Sequence, residues 1–482
     1  MSQKNETPAL LVALIVTLLL IGGGIWLLLR NLNVGGVLQQ PSSPTATIPG
    51  DSDPPANPDT PGIANQAIAQ RLSTGDRILF PDGATPAKEL AVQAIAEGNY
   101  EMAIAELETA LQDNRNDPEA VIYLNNARIG GGDAYTIAVS VPAEAATNQA
   151  LELLRGVAQA QMNVNEVGGI NGVPLRVAIA IDNDEQSTVI QVAETLTQDP
   201  SVLGVIGHFS SGSSLAAAPI YEEAGLPMIS PTSTSVQLSG QGQYVFRTVP
   251  SDRFTATTLS RYLINNLQQG NAAVFFNGES DYSLSLKNEF STALLTDGGQ
   301  ILSEFDVSAG GFDATTAVQQ AQQQGANVLL LLTNTATLDQ ALDVIAVNGQ
   351  QLPLLGGDSL FNPTILEVGA ENALDMVVAV PWVIQSNAES DFATASRQLW
   401  GGAVNWRTAM AYDATIALSA GLSVDPTRDG LTQALKDPTF AVEGATGTIR
   451  FLPSGDRNQP MQLVQVVPSD RTGFGYAFEP VE

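Results

Sequence analysis

The sequence predicts an α/β protein of two parallel-sheet lobes, carried behind a short helical segment and a membrane-spanning helix. Three observations lead to that prediction. From Gly130 onward, short apolar runs (YTIAVSV, PLRVAIAI, VLGVIG, AAVFF, NVLLLL, MVVAV) alternate with amphipathic stretches such as QALELLRGVAQAQMNVNE and TVIQVAETLTQ. That alternation is the mark of βαβ units in parallel sheets. The series runs for about 350 residues, more than one such sheet accommodates, which implies two lobes. It breaks at VPSDRF, residues 249–254, where a second series starts.

Ahead of that series, residues 9–29 (ALLVALIVTLLLIGGGIWLLL) form an uncharged stretch long enough to span a bilayer, with Lys4 before it and Arg30 after it. No small-residue cleavage pattern follows WLLLR. The expectation is therefore an uncleaved signal anchor over 1–30, a single pass through the cell membrane, with the C-terminal domain in the periplasm or extracellular space. Residues 31–62 include QQPSSPTATIPGDSDPPANPDTPG and hold no apolar period, which predicts a semi-extended linker. Between 63 and 132 apolar residues return at helical spacing, broken at GN and NDP. The pattern G-N-Y-x-x-A-x-x-x-L-x-x-A-L resembles a tetratricopeptide repeat, of which about one copy is legible. A lone repeat does not bury its own face, so the segment is read as a helical stalk packed on its neighbour, with a protein-docking module as the alternative. The series over 133–482 is complete without it and is expected to fold alone.

The 482 residues carry 20 basic and 50 acidic side chains, net −30. That balance argues against a phosphate-backbone partner, so no nucleic acid is expected. With no cysteine in the chain there is no disulfide, thiolate nucleophile, cysteine-ligated zinc or lipid-modified N-terminal cysteine.

At residues 204–230, GVIGHFSSGSSLAAAPIYEEAGLPMIS, a buried-strand pattern gives way to a helix pattern with four serines, a glycine and the chain's one histidine at the junction. In open α/β sheets ligands sit at such junctions, because the first N–H groups of the helix lack partners and its dipole favours an anion. Enzyme readings fit poorly. G-x-S-x-G spacing is missing and no histidine follows His208, which a hydrolase of that design needs. One histidine forbids HExxH, and neither G-x-x-x-x-G-K-[ST] nor G-x-G-x-x-G is present. No cofactor is expected. The acids Asp182 and Asp184 are read as strand-end caps in preference to a glycosidase pair.

From Tyr135 onward the order of features resembles the leucine/isoleucine/valine-binding family, the type I periplasmic solute-binding proteins of ABC importers. NEVGGINGVPLRVAIAIDNDEQS, VIGHFSSGSSLAAAPIYEEAGLPMISPTSTS, YVFRTVPSD, FFNGESDYS and AYDATIALSAGL follow one another as that family's motifs do, over roughly 340 residues. The resemblance implies two hinged α/β lobes, lobe 1 at about 133–252 and 381–440 and lobe 2 at about 253–380 and 441–482, closing around an amino acid.

Carried over residue by residue, the resemblance assigns the ligand's carboxylate to Ser211, with Gly212 and Ser213 as neighbouring donors. Thr232, Ser233 and Thr234 then face its ammonium, Tyr282 closes from lobe 2, and Asp358 is the acidic partner of the ammonium. Hydroxyls and a bare glycine at a helix N-terminus hold a carboxylate without burying a permanent cation. His208 is expected to be structural. Where branched-chain binders carry aromatic residues, this chain has PAEAATNQ and TNTAT, which places Asn334 and Thr335 in the pocket and suits a polar or small side chain unless Trp382 or Trp406 fills the gap. The expected function is a membrane-tethered binding protein that delivers an amino acid, or a similar small zwitterion, to an ABC permease. A fusion of helical repeats to this fold also resembles the outer-membrane activators of peptidoglycan synthases, and a ligand-sensing receptor would share the same site.

Overall fold

The computed structural model describes residues 68–481, so the span expected at 9–29 and the linker at 31–62 lie outside the described residues. Among the described residues no helix is long and apolar enough to cross a membrane. The chain begins with strand β1 (Leu72–Ser73) and three helices, α1 (Pro86–Ala96), α2 (Tyr100–Asp113) and α3 (Pro118–Ile129). The first sheet then alternates strands and helices: β2 (Tyr135–Val141), α4 (Thr147–Glu166), β3 (Leu175–Ile181), α5 (Gln186–Gln198), β4 (Val202–Ile206), α6 (Ser211–Ala224), β5 (Met228–Ser230) and β6 (Val245–Arg247). Its strand order is β1-β3-β2-β4-β5-β6, parallel except for β1. The pleat sorts alternate residues to opposite faces. Ile137, Val139, Val177 and Ile179 pack into one cluster, and Ala138, Ala178, Ala180 and Val205 into another beneath α5 and α6.

The second sheet repeats the plan with α7 (Asp252–Arg261), β7 (Asn271–Phe276), α8 (Asp281–Thr296), β8 (Gln300–Asp306), α9 (Ala314–Gln323), β9 (Val328–Leu332), α10 (Leu338–Asn348), β10 (Leu354–Gly356) and β11 (Val377–Val380). The chain returns to the first lobe through α11 (Asp391–Trp400), α12 (Trp406–Val424) and α13 (Arg428–Lys436), and α12 packs along α4. A small hairpin, β12 (Val442–Gly444) and β13 (Gly447–Ile449), precedes β14 (Gln462–Pro468) and β15 (Tyr476–Pro480), which close the second sheet in the order β15-β14-β11-β10-β9-β7-β8. The chain thus passes between lobes near 247–252, 380–391 and 449–462. Buried ion pairs tie the crossings together. Arg247 Nε lies 2.6 Å from Asp456 Oδ1, and Arg457 Nη1 lies 2.6 Å from Asp413 Oδ2 on α12.

The breaks at GN and NDP fall where sequence chemistry puts them. Gly98 has φ +74°, Asn99 caps α2 through Met102 N, and Asp117 caps α3 through Ala120 N with Pro118 at the first helical position. The segment packs on its neighbour, the first lobe. From Pro118 to Ala127 every residue of α3 is buried, and α3 packs on α4 and β3. Asn126 extends the sheet edge where β1 ends: its amide donates to Val177 O at 2.7 Å and accepts from Val177 N at 3.1 Å. Lys88, fully buried, bridges Asp117 at 2.6 Å and Glu119 at 2.7 Å. Residues 68–132 therefore share a core with the first lobe.

A chain begun at 133 is expected to uncover the face of α4 and β3 on which α3 packs, and to lose the core that α3 completes with Ile122, Tyr123 and Leu124. At ~1.5 to 3 kcal/mol for each large side chain, it should be less stable than the chain begun at 63 by more than about 5 kcal/mol. Urea unfolding of the two chains side by side tests this, and equal midpoints would show the helical segment to be dispensable.

Candidate functional site

Parallel strands deliver their C-termini to one edge of each sheet, and here the two edges face each other across a cleft of about 130 Å³. From the first lobe come Ala145, Ala146, Asp184, Phe209, Ser210, Ser211 and Thr232; from the second Ser280, Tyr282, Asn334, Thr335, Ala336, Asp358 and Ser359; Trp406 and Arg407 enter at the start of α12.

The serines of HFSSGSS are not a loop ahead of the helix. Ser210 is the N-cap of α6, accepting from Ser213 N at 3.1 Å, and the helix starts at Ser211. Ser211 Oγ accepts from Ser235 N at 3.2 Å, which leaves its own hydroxyl proton for the cleft. Gly212 has no Cβ, and one added there would stand 3.1 Å from Asp281 Oδ2 of the second lobe. Ser213 is committed elsewhere, because its hydroxyl and that of Ser210 both donate to Asp184 Oδ1. Asp184 reaches that position through a left-handed turn, with φ +52° at Asn183 and +56° at Asp184, while its N–H donates to Asp182 Oδ1 at 3.0 Å. Burial pushes the Asp184 carboxyl up and the nearby Asp182 adds to this, against the two serine hydroxyls.

Of the second strip, Thr232 lines the cleft and donates to Phe209 O at 2.7 Å. Ser233 turns inward to Ser214 Oγ at 2.8 Å and His208 O at 3.2 Å, so its hydroxyl braces the loop. Thr234 is fully buried, with an unpartnered Oγ1, away from the cleft lining. His208 also lies outside the lining. It is fully buried, with Nδ1 2.6 Å from Asp182 Oδ2 and Nε2 3.0 Å from the Tyr221 hydroxyl. Burial works against the Asp182 carboxylate, but the contact with His208 and the Ser140 hydroxyl hold it below the ordinary range.

In the second lobe the Tyr282 hydroxyl donates to Asp358 Oδ1 at 2.5 Å. Burial raises the Asp358 carboxyl, opposed by that hydrogen bond and by the Arg407 guanidinium. Asn334 and Thr335 both line the cleft, and Asn334 Oδ1 accepts from Asn277 at 2.9 Å and Thr337 at 2.9 Å. Trp406 forms part of the wall, whereas Trp382 lines a separate hollow between the lobes. Arg407 had no sequence signal. Its guanidinium stacks 4.4 Å over the Trp406 ring and reaches Glu152 Oε2 at 3.2 Å. At the hinge, Asp252 is fully buried and neither of its oxygens has a hydrogen-bond partner of good geometry. Burial pushes its carboxyl up to about 7, with the charge of Asp358 adding to this and the Ser285 and Thr234 hydroxyls and Arg247 opposing it.

The family model described as periplasmic binding protein matches residues 135–472. The Leu/Ile/Val-binding protein of Escherichia coli (strain K12) is 24% identical over 306 residues, 62% of this chain and 82% of that protein. The Leu/Ile/Val/Thr-binding protein of Salmonella typhimurium (strain LT2) is 25% identical over 307 residues, with the same coverage of 62% and 82%. Among solved structures, an ABC transporter substrate-binding protein from Desulfitobacterium hafniense in complex with Leu superposes with a TM-score of 0.62 at 26% identity, covering 72% of this chain and all of that one.

The hinge acid makes a sign-specific expectation. A carboxyl raised from 3.8 to about 7 on folding leaves stability untouched below pH ~4, where both states are protonated, and subtracts stability progressively as pH rises to ~7. Asp252→Asn should remove that loss. Its advantage over the unsubstituted chain, read by urea unfolding, should grow from pH ~4 to pH ~7 by an amount on the order of 4 kcal/mol and then level off. An advantage that does not change with pH would mean that Asp252 does not titrate in this range.

Proposed function

The chain belongs to the periplasmic binding protein family, and from that membership we propose that its lobes close around an amino acid, or a similar small zwitterion, which it hands to an ABC permease. One observation carries this reading: opposite walls of the same cleft present complementary groups. The first offers the Ser211 hydroxyl and the free N–H groups at the start of α6 to a carboxylate; the second offers Asp358, held by Tyr282, to an ammonium. Second-lobe contacts form only on closure, so differential affinity for the closed state drives the motion. The relatives that bind leucine, isoleucine, valine or threonine support an amino acid as ligand. The apolar stretch at 9–29 supports tethering of the domain to the membrane, outside the cytoplasm. The tetratricopeptide-like spacing of the helical segment is read as a wall of the first lobe, because α3 is spent on packing there.

Asp358→Asn preserves shape and removes the charge facing the ammonium. Truncating one partner of a buried pair costs about 2 to 5 kcal/mol, so affinity for the preferred amino acid should fall at least about thirtyfold by titration calorimetry. An ammonium beside Asp358 lowers its raised carboxyl pKa, so binding releases a proton wherever the empty site is protonated. Affinity should therefore weaken as pH falls through the carboxylate range, less so for the Asn variant. Unchanged affinity with a lowered melting temperature would reduce Asp358 to a structural role. The full-length chain should also stay with membranes after high-salt washing; recovery in the soluble fraction without residues 1–30 would overturn the tether.

A further inference from the structure

We propose that the cleft selects an amino acid with a cationic side chain and that Asp184 is the residue that selects it. The inference rests on the amino-acid reading above and adds a substrate class to it. Asp184 lines the cleft from the first lobe and Asp358 from the second. The chain's own carboxylate thus already sits against the start of α6, where its Oδ1 takes up the Ser210 and Ser213 hydroxyls. No hydrogen bond engages Asp184 Oδ2 among the described residues.

The charges in the cleft do not balance without a ligand. Arg407 is the one basic residue of the lining, and it is committed to Glu152 at 3.2 Å, Phe361 O at 3.4 Å and Asp358 O at 3.5 Å. A zwitterion brings one ammonium, which Asp358 takes, and one carboxylate, which Ser211 and the helix N–H groups take. Closure on leucine would then leave Asp184 desolvated beside the ligand with no counter-charge, a costly state. A second ammonium or a guanidinium at Oδ2 neutralises it by a charge-assisted hydrogen bond. The walls agree with this. Ala145, Ala146, Thr335 and Ala336 supply no large aliphatic surface, and the Phe209 and Trp406 rings can flank a cationic stem. The raised Asp184 carboxyl fits a group awaiting a cation.

Titration calorimetry on the full-length chain tests the proposal with L-ornithine, L-lysine, L-norleucine (lysine without its ε-amine), L-leucine and the diamine cadaverine. Ornithine or lysine should bind at least about tenfold tighter than norleucine, and Asp184→Asn should bring them within about threefold of each other. Norleucine or leucine binding as tightly as lysine to the unsubstituted chain overturns the cation preference while leaving the amino-acid reading intact, whatever the variant's fold. A preference that survives Asp184→Asn overturns the role of Asp184. Cadaverine binding without any amino acid would overturn the zwitterion reading and support a cation at Asp184, and silence of the whole panel would overturn both.

Discussion

The arrangement of this protein depends on one constraint: a parallel sheet has to be covered on both faces. Strands such as β9, VLLLL, bury every residue, sending Leu329 and Leu331 to one cluster and Val328, Leu330 and Leu332 to the other. With both faces sealed by helices, only the C-terminal edge of each sheet remains for chemistry, and the crossover connections put all the helix N-termini there too. Placing the two edges opposite each other makes a cleft whose polar groups are backbone ends and short hydroxyl side chains. Its specificity then rests on the few charged side chains that reach it.

The buried charged and titratable groups of the protein fall into two kinds. Arg247–Asp456, Arg457–Asp413, Lys88 with Asp117 and Glu119, and Asp182 with His208 are buried groups with close partners, and all lie away from the cleft lining. Removing one partner from such a pair leaves an uncompensated buried charge, so each pins the backbone it joins. Asp184, Asp252 and Asp358 differ in that they form no ion pair among the described residues. Burial raises all three carboxyls, as it raises Asp413 despite Arg457, but two of the three line the cleft while the third sits at the hinge.

Much of this was legible in the sequence because it depends on local pattern. Strand runs, the GN and NDP breaks and the serine-rich helix start follow from periodicity and capping, and the motif order led to Ser211, Tyr282 and Asp358, which all line the cleft. The stretches PAEAATNQ and TNTAT contribute Ala145, Ala146, Asn334 and Thr335 to the cleft lining. Hydroxyl direction was not legible. Ser213 and Ser233 sit next to cleft residues in sequence, yet one is claimed by Asp184 and the other by Ser214. Asp184 itself was read as a cap because no sequence signal announces the two left-handed residues that swing it toward α6. Arg407 depends on Glu152, 255 positions away, a pairing that only tertiary structure creates.

The burial of α3 carries a mechanical consequence. Helix and sheet meet there through Asn126, which pairs with the backbone of β3, and α3 is buried from Pro118 to Ala127. A load applied to residues 86–129 therefore passes into the first lobe without a compliant joint. The segment is a handle on the first lobe, so a partner that grips it holds that lobe and leaves the second to carry any movement at the crossings.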